Sequence, residues 1–135
     1  MRTVFPIIRH LSRPISRLLI NLPVTPNQIT SVSLIFGLSS CFFFISPEIK
    51  MKVAGSSLFI ISYILDNCDG EVARHKGLTS TFGHNYDTFV DWMVHTVFFG
   101  TLGLGISLDT GNNMWLWFGL ISSLGGTINY IISIF

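Results

Sequence analysis

The sequence is poor in charge, and most of the charge that it has lies in the first two thirds of the chain. Only 11% of the 135 residues are charged and the net charge is +1, whereas 49% are hydrophobic. A water-soluble domain of this size needs more charged surface. No basic stripe with interleaved aromatic residues occurs, so no nucleic-acid partner is expected. The composition therefore favours a single domain embedded in a membrane.

Two further features of other protein classes are missing. The two cysteines, Cys41 and Cys68, lie in apolar runs without the spacing of a metal or redox site, so we interpret them as small buried residues. The first apolar stretch follows several arginines and lacks a small-residue cleavage site. A cleavable signal peptide is therefore not predicted.

Four hydrophobic segments follow one another along the chain. They cover residues 29–46, 53–68, 84–106 and 114–135. Each approaches the ~20 residues that cross a hydrocarbon core. Glycine and serine are frequent inside them, as is typical of closely packed membrane helices. The pattern predicts an all-α, polytopic membrane helical bundle with four readable transmembrane helices.

The N-terminal segment has a different pattern. Arg9, Arg13 and Arg17 recur at every fourth position, so they share one face of a helix whose other positions are largely apolar. We predict that residues 1–24 form an amphipathic juxtamembrane helix on an anionic membrane surface, and that residues 25–135 form the membrane-embedded domain. A disordered targeting arm is the alternative.

The basic residues also predict the orientation of the chain. An N-terminus in the cytoplasm would place six basic residues there and only two on the other side. The six are Arg2, Arg9, Arg13, Arg17, Arg74 and Lys76, and the two are Lys50 and Lys52. This count predicts a multi-pass membrane protein with its N-terminus and its acidic cluster on the cytoplasmic side.

Four of the seven carboxylates lie at the ends of two neighbouring hydrophobic segments. Asp66 and Asp69 are three positions apart, and Asp87 and Asp91 are four apart, so each pair shares a helical face. A connection of about fifteen residues would let the two helices run antiparallel. We therefore expect the two pairs to face each other at one depth.

Converging carboxylates at a membrane persist only if they are protonated or neutralised by cations. An all-oxygen set suits Mg²⁺ or Mn²⁺ rather than zinc, because no Cys or His group has ligand spacing. Gly70 and Ala73 share a face with Asp66 and leave room for a ligand, and Arg74 offers a cation to a diphosphate. A buried ion-pair network or an ion path through a transporter is the alternative, but only Arg74 and Lys76 lie near enough in sequence to pair the acids.

These residues also form a recognisable motif. Asp66, Asp69, Gly70, Ala73 and Arg74, followed by Gly83, Asp87 and Asp91, match every position of the CDP-alcohol phosphotransferase signature. The stretch Thr25-Pro26-Asn27-Gln28-Ile29-Thr30 is similar to the segment that opens the first membrane helix of that family. The resemblance covers about residues 5–135.

The resemblance implies a site with two divalent ions, Mg²⁺ or Mn²⁺. Asp66 and Asp87 would contact both ions, Asp69 the first and Asp91 the second, and Asp91 would also be the general base. A CDP-alcohol donor would be bound by the residues of the signature and of the opening segment: Asn27, Gln28, Ile29, Thr30, Gly70, Ala73, Arg74, Ser80 and Gly83. An acceptor alcohol would attack the β-phosphorus and release CMP, in the biosynthesis of phospholipids or related polar compounds. A homodimer is expected.

The chain departs from this family in two ways. Members usually have six membrane helices and only four are readable here, so we expect a C-terminally truncated fragment of a longer protein. No Lys or Arg follows Lys76, which favours a neutral acceptor or one whose anion is held by absent residues. A non-catalytic homologue that acts as a membrane assembly partner is the second hypothesis for function.

Three polar residues keep two interpretations each. His84 and His95 could orient a carboxylate or serve helix packing. Asn129 could line the acceptor pocket or bind a neighbouring helix.

Overall fold

The fold, taken from a computed structural model, is described for residues 6–134 and consists of helices connected by short loops. Five helices follow in the order α1 (Pro6–Ile20), α2 (Pro26–Phe43), α3 (Ile49–Lys76), α4 (Thr81–Thr110) and α5 (Met114–Ile134). No strand occurs in this part of the chain. The all-α prediction is therefore confirmed, and a helix corresponds to each of the five predicted segments.

The start of α2 is fixed by a capping box. The Thr25 hydroxyl accepts a hydrogen bond from the backbone N–H of Gln28 at 3.3 Å, and the Gln28 side chain accepts one from the Thr25 N–H at 2.9 Å. Pro26 follows at the first helical position, where its missing N–H costs nothing. This cap sets the orientation of the first two turns of α2, which carry Asn27 and Thr30.

The connection between α3 and α4 is shorter than the expected fifteen residues. It comprises only residues 77–80, because α3 continues through the acidic motif to Lys76 and α4 begins at Thr81. Gly77 ends α3 with a left-handed φ of 65°, and the Ser80 hydroxyl accepts from the Gly83 N–H at 3.0 Å to begin α4. All four signature aspartates therefore lie within helices, where their spacing is rigid.

The helices pack through small residues. A Cβ at Gly105 would clash with the Phe44 carbonyl oxygen, and a Cβ at Gly119 would lie 2.5 Å from the Phe99 carbonyl oxygen. A Cβ at Gly37 on α2 would lie 2.8 Å from the side-chain methyl groups of Val94 on α4. α2 contacts both α3 and α4, whereas α5 packs on α4 and α1 lies along α3. Larger side chains at these glycines would force the helices apart.

The buried core is small and lies next to the acidic cluster. Ile29, Cys68 and Val72 are almost fully buried, and Ile15 and Leu19 of α1 pack against them. This core joins α1, α2 and α3. Cys68 is a member of this core, whereas Cys41 is buried elsewhere, between Gly37 of its own helix and Val94 of α4; both cysteines are free.

Two of the helices are long and apolar enough to cross a membrane. They are α4, with 30 residues, and α5, with 21 residues. By the same length and composition criteria α2 and α3 are not identified as spans within the described residues. The helical, membrane-type fold is consistent with the prediction, but the predicted number of four spans is not established.

Helix α1 packs with two serines against α3, and two of its arginines lie on an exposed face. Arg13 and Arg17 are exposed on one face, whereas Ser12 and Ser16 are buried against α3. The expectations for Arg2 and for the side chain of Arg9 lie outside the part of the chain that the structure describes.

Candidate active site

Three carboxylates meet where α3 and α4 face each other. One oxygen each from Asp66, Asp69 and Asp87 lies within 4.8 Å of the other two. Asp69 is 4% exposed, and Asp66 and Asp87 are half-buried. The three-residue spacing on α3 puts Asp66 and Asp69 on one face, and the antiparallel α4 brings Asp87 opposite them.

Thr30 fixes the position of the most buried of these acids. Its hydroxyl donates to Asp69 Oδ2 and also lies 3.1 Å from the Pro26 carbonyl oxygen in its own helix. Thr30 is itself 2% exposed. Because α2 supplies this contact, its capping box is coupled to the orientation of an aspartate on α3.

The cluster has no cationic partner in the described part of the chain. The ion pair found there joins Lys52 and Asp109 at the opposite end of the bundle, and His95 lies 3.8 Å from the Asp91 carboxylate. Three carboxylates so close together, one buried and two half-buried, repel one another strongly unless a cation or a proton lies among them. The donor set consists of oxygens alone and leaves room for further ligands, so it fits hard divalent cations such as Mg²⁺ or Mn²⁺.

Asp91 lies beside this group rather than in it. It is one turn further along α4 than Asp87, and its side chain is 52% exposed. It lines one cavity together with Asp66 and a second cavity between α4 and α5. His95 Nδ1 lies 2.7 Å from the Asp91 carbonyl oxygen and 3.8 Å from the Asp91 carboxylate. Because a carbonyl oxygen only accepts, that ring nitrogen carries the proton in this contact.

A cavity of about 190 Å³ opens next to the cluster. It is bounded by the start of α2, the end of α3 and the start of α4. Its lining includes Asp69, Asp87 and most of the residues that the sequence predicted to bind the donor: Asn27, Thr30, Gly70, Ala73, Arg74, Ser80 and Gly83. Elements far apart in sequence therefore bring these seven residues to one place.

Glycines keep this cavity open. The Arg74 side chain folds back along α3, so that a Cβ at residue 70 would lie 3.4 Å from Arg74 Nη1. A Cβ at residue 83 would lie 3.2 Å from Asn27 Oδ1. Larger side chains at these two positions would press on the polar groups that line the cavity.

Two residues of the predicted donor set lie elsewhere. Gln28 is used by the capping box, and Ile29 is buried in the apolar core with Cys68 and Val72. Neither lines the cavity, because a helix presents only some of four successive residues to one side. Their predicted contact with the donor is therefore not supported by their position.

Other residues line the cavity without having been singled out. Pro26, Leu78 and Thr79 contribute to it, and so does His84, for which helix packing was also considered. Thr79 could have been found from sequence, since Ser or Thr just before an apolar helix marks its N-terminus. No sequence signal indicates Leu78.

Lys76 has a structural contact that sequence analysis missed. Its Nζ donates to the carbonyl oxygens of Leu22 at 2.6 Å and Val24 at 2.9 Å. These carbonyls belong to the connection between α1 and α2. Lys76 thereby fixes the N-terminus of α2 next to the C-terminal end of α3. Asn27 and Thr30 lie in this first part of α2.

Comparison with known proteins identifies the family. The sequence profile of the CDP-alcohol phosphatidyltransferases matches residues 23–131. The chain belongs to the CDP-alcohol phosphatidyltransferase family. The matched region includes every residue of the acidic cluster and of the cavity next to it, so the family assignment and the geometry concern the same part of the molecule.

Relatives within the CDP-alcohol phosphatidyltransferases have two different names. The chain is 32% identical over 120 residues to a bifunctional IPC transferase and DIPP synthase from Thermococcus kodakarensis. The aligned region covers 89% of this chain and 26% of that protein. A similar protein from Aquifex aeolicus is 31% identical over 117 residues, 86% of this chain and 26% of the relative.

The second kind of relative is a CDP-diacylglycerol–serine O-phosphatidyltransferase from Mycobacterium leprae. It is 38% identical over 80 residues, which cover 59% of this chain and 26% of that protein. The chain therefore spans about a quarter of the length of these curated relatives.

Proposed function

We propose that this chain transfers a substituted phosphate from a CDP-alcohol, such as CDP-diacylglycerol or CDP-inositol, to an acceptor alcohol and releases CMP. The acceptor oxygen forms a bond to the β-phosphorus while the bond from that phosphorus to the CMP oxygen breaks, and the hydroxyl proton leaves to a base. The observation that carries the proposal is the meeting of Asp66, Asp69 and Asp87 beside a cavity lined by the rest of the signature.

The cavity next to the cluster is the proposed donor site. Arg74 supplies a positive charge for the diphosphate, and Gly70 and Gly83 let the nucleotide approach the helices closely. Asn27 and Ser80 offer polar groups to the same space. Binding of the donor here would hold its diphosphate against Asp69 and Asp87, and this positioning would supply much of the rate enhancement.

The aspartates would hold the divalent cations that the family uses. We propose two ions, Mg²⁺ or Mn²⁺, with Asp66 and Asp87 shared between them, Asp69 on one and Asp91 on the other. Such ions neutralise phosphate charge and stabilise the departing oxygen when they are bound. Thr30 would keep Asp69 oriented for this role through its hydrogen bond.

Asp91 is the proposed general base. Its exposed carboxylate lines both the small cavity with Asp66 and the larger one between α4 and α5, so it lies between the acidic cluster and a space for the acceptor. A carboxylate in that position can take the proton of an incoming hydroxyl. The contact between His95 Nδ1 and the Asp91 carbonyl oxygen would limit the movement of the turn of α4 that follows Asp91.

The acceptor would be uncharged. The cavity between α4 and α5 is lined by Asp91, His95, Asn129, Tyr130 and Ser133 among others, and by no Lys or Arg. A phosphate dianion would meet a carboxylate there without a compensating cation. Transfer to a polyol should therefore exceed transfer to its phosphate ester, and efficient use of the phosphate ester by this chain would contradict the assignment.

We further propose a multi-pass protein with its N-terminus and active site on the cytoplasmic side. With 30 residues, α4 is about 45 Å long, which exceeds a ~30 Å hydrocarbon core by several turns, so Asp87 and Asp91 can lie at the interface. The apolar residues on α5, such as Trp117, Leu124 and Ile132, are more than half exposed and suit contact with lipid. Cysteine labelling from each side of sealed vesicles tests this orientation.

Residues 1–24 would form the interfacial segment, residues 25–135 the membrane-embedded domain, and two chains a homodimer. The exposed apolar face of α5 offers a surface for lipid or for a second copy. Light scattering of the detergent-solubilised chain measures its mass directly. A monomeric mass at all concentrations would contradict the dimer.

The decisive experiment for the reaction is CMP release by the purified chain. CDP-diacylglycerol and CDP-inositol are supplied in turn with glycerol or inositol, with Mg²⁺ or Mn²⁺ present, and CMP is quantified. We expect release that requires the cation and falls by about 10²–10⁴-fold in Asp91→Asn, the usual contribution of a positioned base. Absence of CMP release would support the alternative of a non-catalytic assembly partner. Release that needs no cation, or that Asp91→Asn leaves intact, would contradict the roles proposed for the metal ions and for Asp91.

A further inference from the structure

A second polar cavity lies between α1 and α3, on the other side of Arg74 from the donor site. Its volume is about 520 Å³, and its lining includes Arg13, Ser16 and Arg17 of α1 together with Glu71, Arg74 and His75 of α3. Arg13, Arg17 and Arg74 are exposed. We call this space the α1–α3 groove. The reaction proposed above does not use it.

The groove has an excess of positive charge. Its three arginines face a single carboxylate, that of Glu71. No ion pair forms between any of these groups in the described part of the chain. Converging guanidinium groups repel one another, and a planar fork of N–H donors fits phosphate oxygens particularly well. An anion with several oxygens would therefore be attracted to this space.

A buried hydroxyl lining the groove lacks a strong partner. Ser16 is 2% exposed, and its Oγ lies near the Cys68 thiol, a weak partner, without a well-formed hydrogen bond to any described residue. An unpaired buried hydroxyl is unfavourable, and most such groups in native proteins are paired with protein, water or a ligand. Ser16 lies between Arg13 and Arg17 in sequence, so a ligand held by the arginines would be near its hydroxyl.

We propose that the α1–α3 groove binds a phosphate group through Arg13 and Arg17, with the Ser16 hydroxyl as an additional donor. The phosphate could belong to the headgroup of an anionic lipid or to a soluble phosphate ester, because both present the same oxygens. Bound there, it would join α1 to the end of α3. It is distinct from the donor diphosphate, whose proposed site is the cavity beside Asp69 and Asp87.

Binding is measured without CDP-alcohol and without divalent cation, so the result does not depend on catalysis. The chain is purified in a neutral detergent, and native mass spectrometry records the retention of phosphatidylglycerol and of phosphatidylcholine as each is titrated. A parallel titration with inorganic phosphate follows the thermal unfolding of the chain. Retention of phosphatidylglycerol alone indicates the lipid source, and stabilisation by inorganic phosphate indicates the soluble one.

Three variants test which residues are responsible. Arg17→Gln should weaken binding about tenfold, the effect of one charge-assisted hydrogen bond. Lys50→Gln removes the same charge from an exposed residue at the start of α3, far along that helix from the groove, and should leave binding unchanged. Ser16→Ala should weaken binding about threefold to tenfold with little change in the melting temperature, because the hydroxyl it removes has only the weak Cys68 thiol nearby.

Two results would overturn the proposal. One is that Arg17→Gln binds the lipid and inorganic phosphate as tightly as the wild type does. The other is an equal loss in Lys50→Gln, which would mean that the anion responds to the net charge of the chain and not to the groove. A Ser16→Ala variant that loses stability together with binding would assign Ser16 a packing role and remove it from the site.

Discussion

The two ends of the antiparallel α3–α4 pair contain acidic residues in opposite situations. At one end Asp109 forms an ion pair with Lys52, and both side chains are about a quarter exposed. At the other end Asp66, Asp69 and Asp87 lie together without a cation from the described chain. The charge of Asp109 is therefore neutralised by a side chain of the same protein. The other three carboxylates have the arrangement expected of ligands for a cation.

The role of glycine also differs between the two ends of the α3–α4 pair. Near the paired acid, glycines bring backbones into contact, as at Gly105 against Phe44 and Gly103 against Gly119. Near the clustered acids, Gly70 and Gly83 border a cavity instead. Small residues therefore serve close packing at one end and access for a ligand at the other. Substitutions at the two ends should affect different properties of the protein.

The largest difference is expected between Asp87→Asn and Asp109→Asn. Asp87→Asn should lower CMP release by about a hundredfold or more. Removing a residue that only orients a metal ligand lowers activity by about 10–100-fold, and removing the ligand itself should cost more. Asp109→Asn removes the same charge and should leave the rate within about twofold, since an isolated ion pair contributes little. Parallel CMP assays compare them. Equal losses in both would mean that the cluster has no special role.

A smaller effect is expected from the hydrogen bond that orients Asp69. Thr30→Val keeps the shape of the side chain but removes the hydroxyl that donates to Asp69. We expect the Mn²⁺ concentration needed for half-maximal CMP release to rise about 10–100-fold. Thr101→Val, whose hydroxyl bonds to carbonyls of its own helix and to no aspartate, is the matched control. An unchanged requirement for Mn²⁺ in Thr30→Val would show that Thr30 does not position a ligand.

At the packed end the expected effect is on stability. Gly105→Ala places a methyl group against the Phe44 carbonyl and should destabilise the fold by about 1–3 kcal/mol. Gly125→Ala adds the same methyl group in open space on α5 and should not destabilise it. Thermal or denaturant unfolding in detergent measures both. A Gly105→Ala variant as stable as Gly125→Ala would contradict the close approach of α4 to residue 44.

The smallest effect concerns the ion pair itself. A double-mutant cycle with Lys52→Gln and Asp109→Asn should give a coupling energy of about 0.2–1 kcal/mol. The pair lies at the protein surface, so the coupling should decrease as salt is added. Unfolding experiments at two ionic strengths provide the test. A coupling energy several times larger would mean that this end is less exposed than its geometry indicates.

Sequence patterns predicted the parts of this structure that depend on local spacing. Apolar segment length indicated the helices, and intervals of three and four indicated which acids share a face. Adjacency in the chain indicated that α3 and α4 run antiparallel, but both helices pack on α2, which no local pattern indicated. The metal and donor roles assigned to these residues stay predictions, because they concern ligands.

The features that sequence missed depend on tertiary contacts or on exact helix ends. The hydrophobic run stopped at residue 68, but α3 continues to Lys76, since polar residues such as Glu71 and Arg74 are good helix formers. The contact from Lys76 to the Leu22 and Val24 carbonyls joins segments more than fifty residues apart. Likewise, the burial of Ile29 depends on how α2 is rotated against α3, which no motif specifies.

Direct measurement of Mn²⁺ binding tests the central claim most simply. Electron paramagnetic resonance of free Mn²⁺, titrated with the purified chain in the absence of substrate, gives the number of ions bound and their affinity. We predict binding that Asp66→Asn weakens strongly and that Asp109→Asn leaves unchanged. Binding that is absent from the wild type, or lost equally in both variants, would contradict the claim that these clustered carboxylates form a metal site.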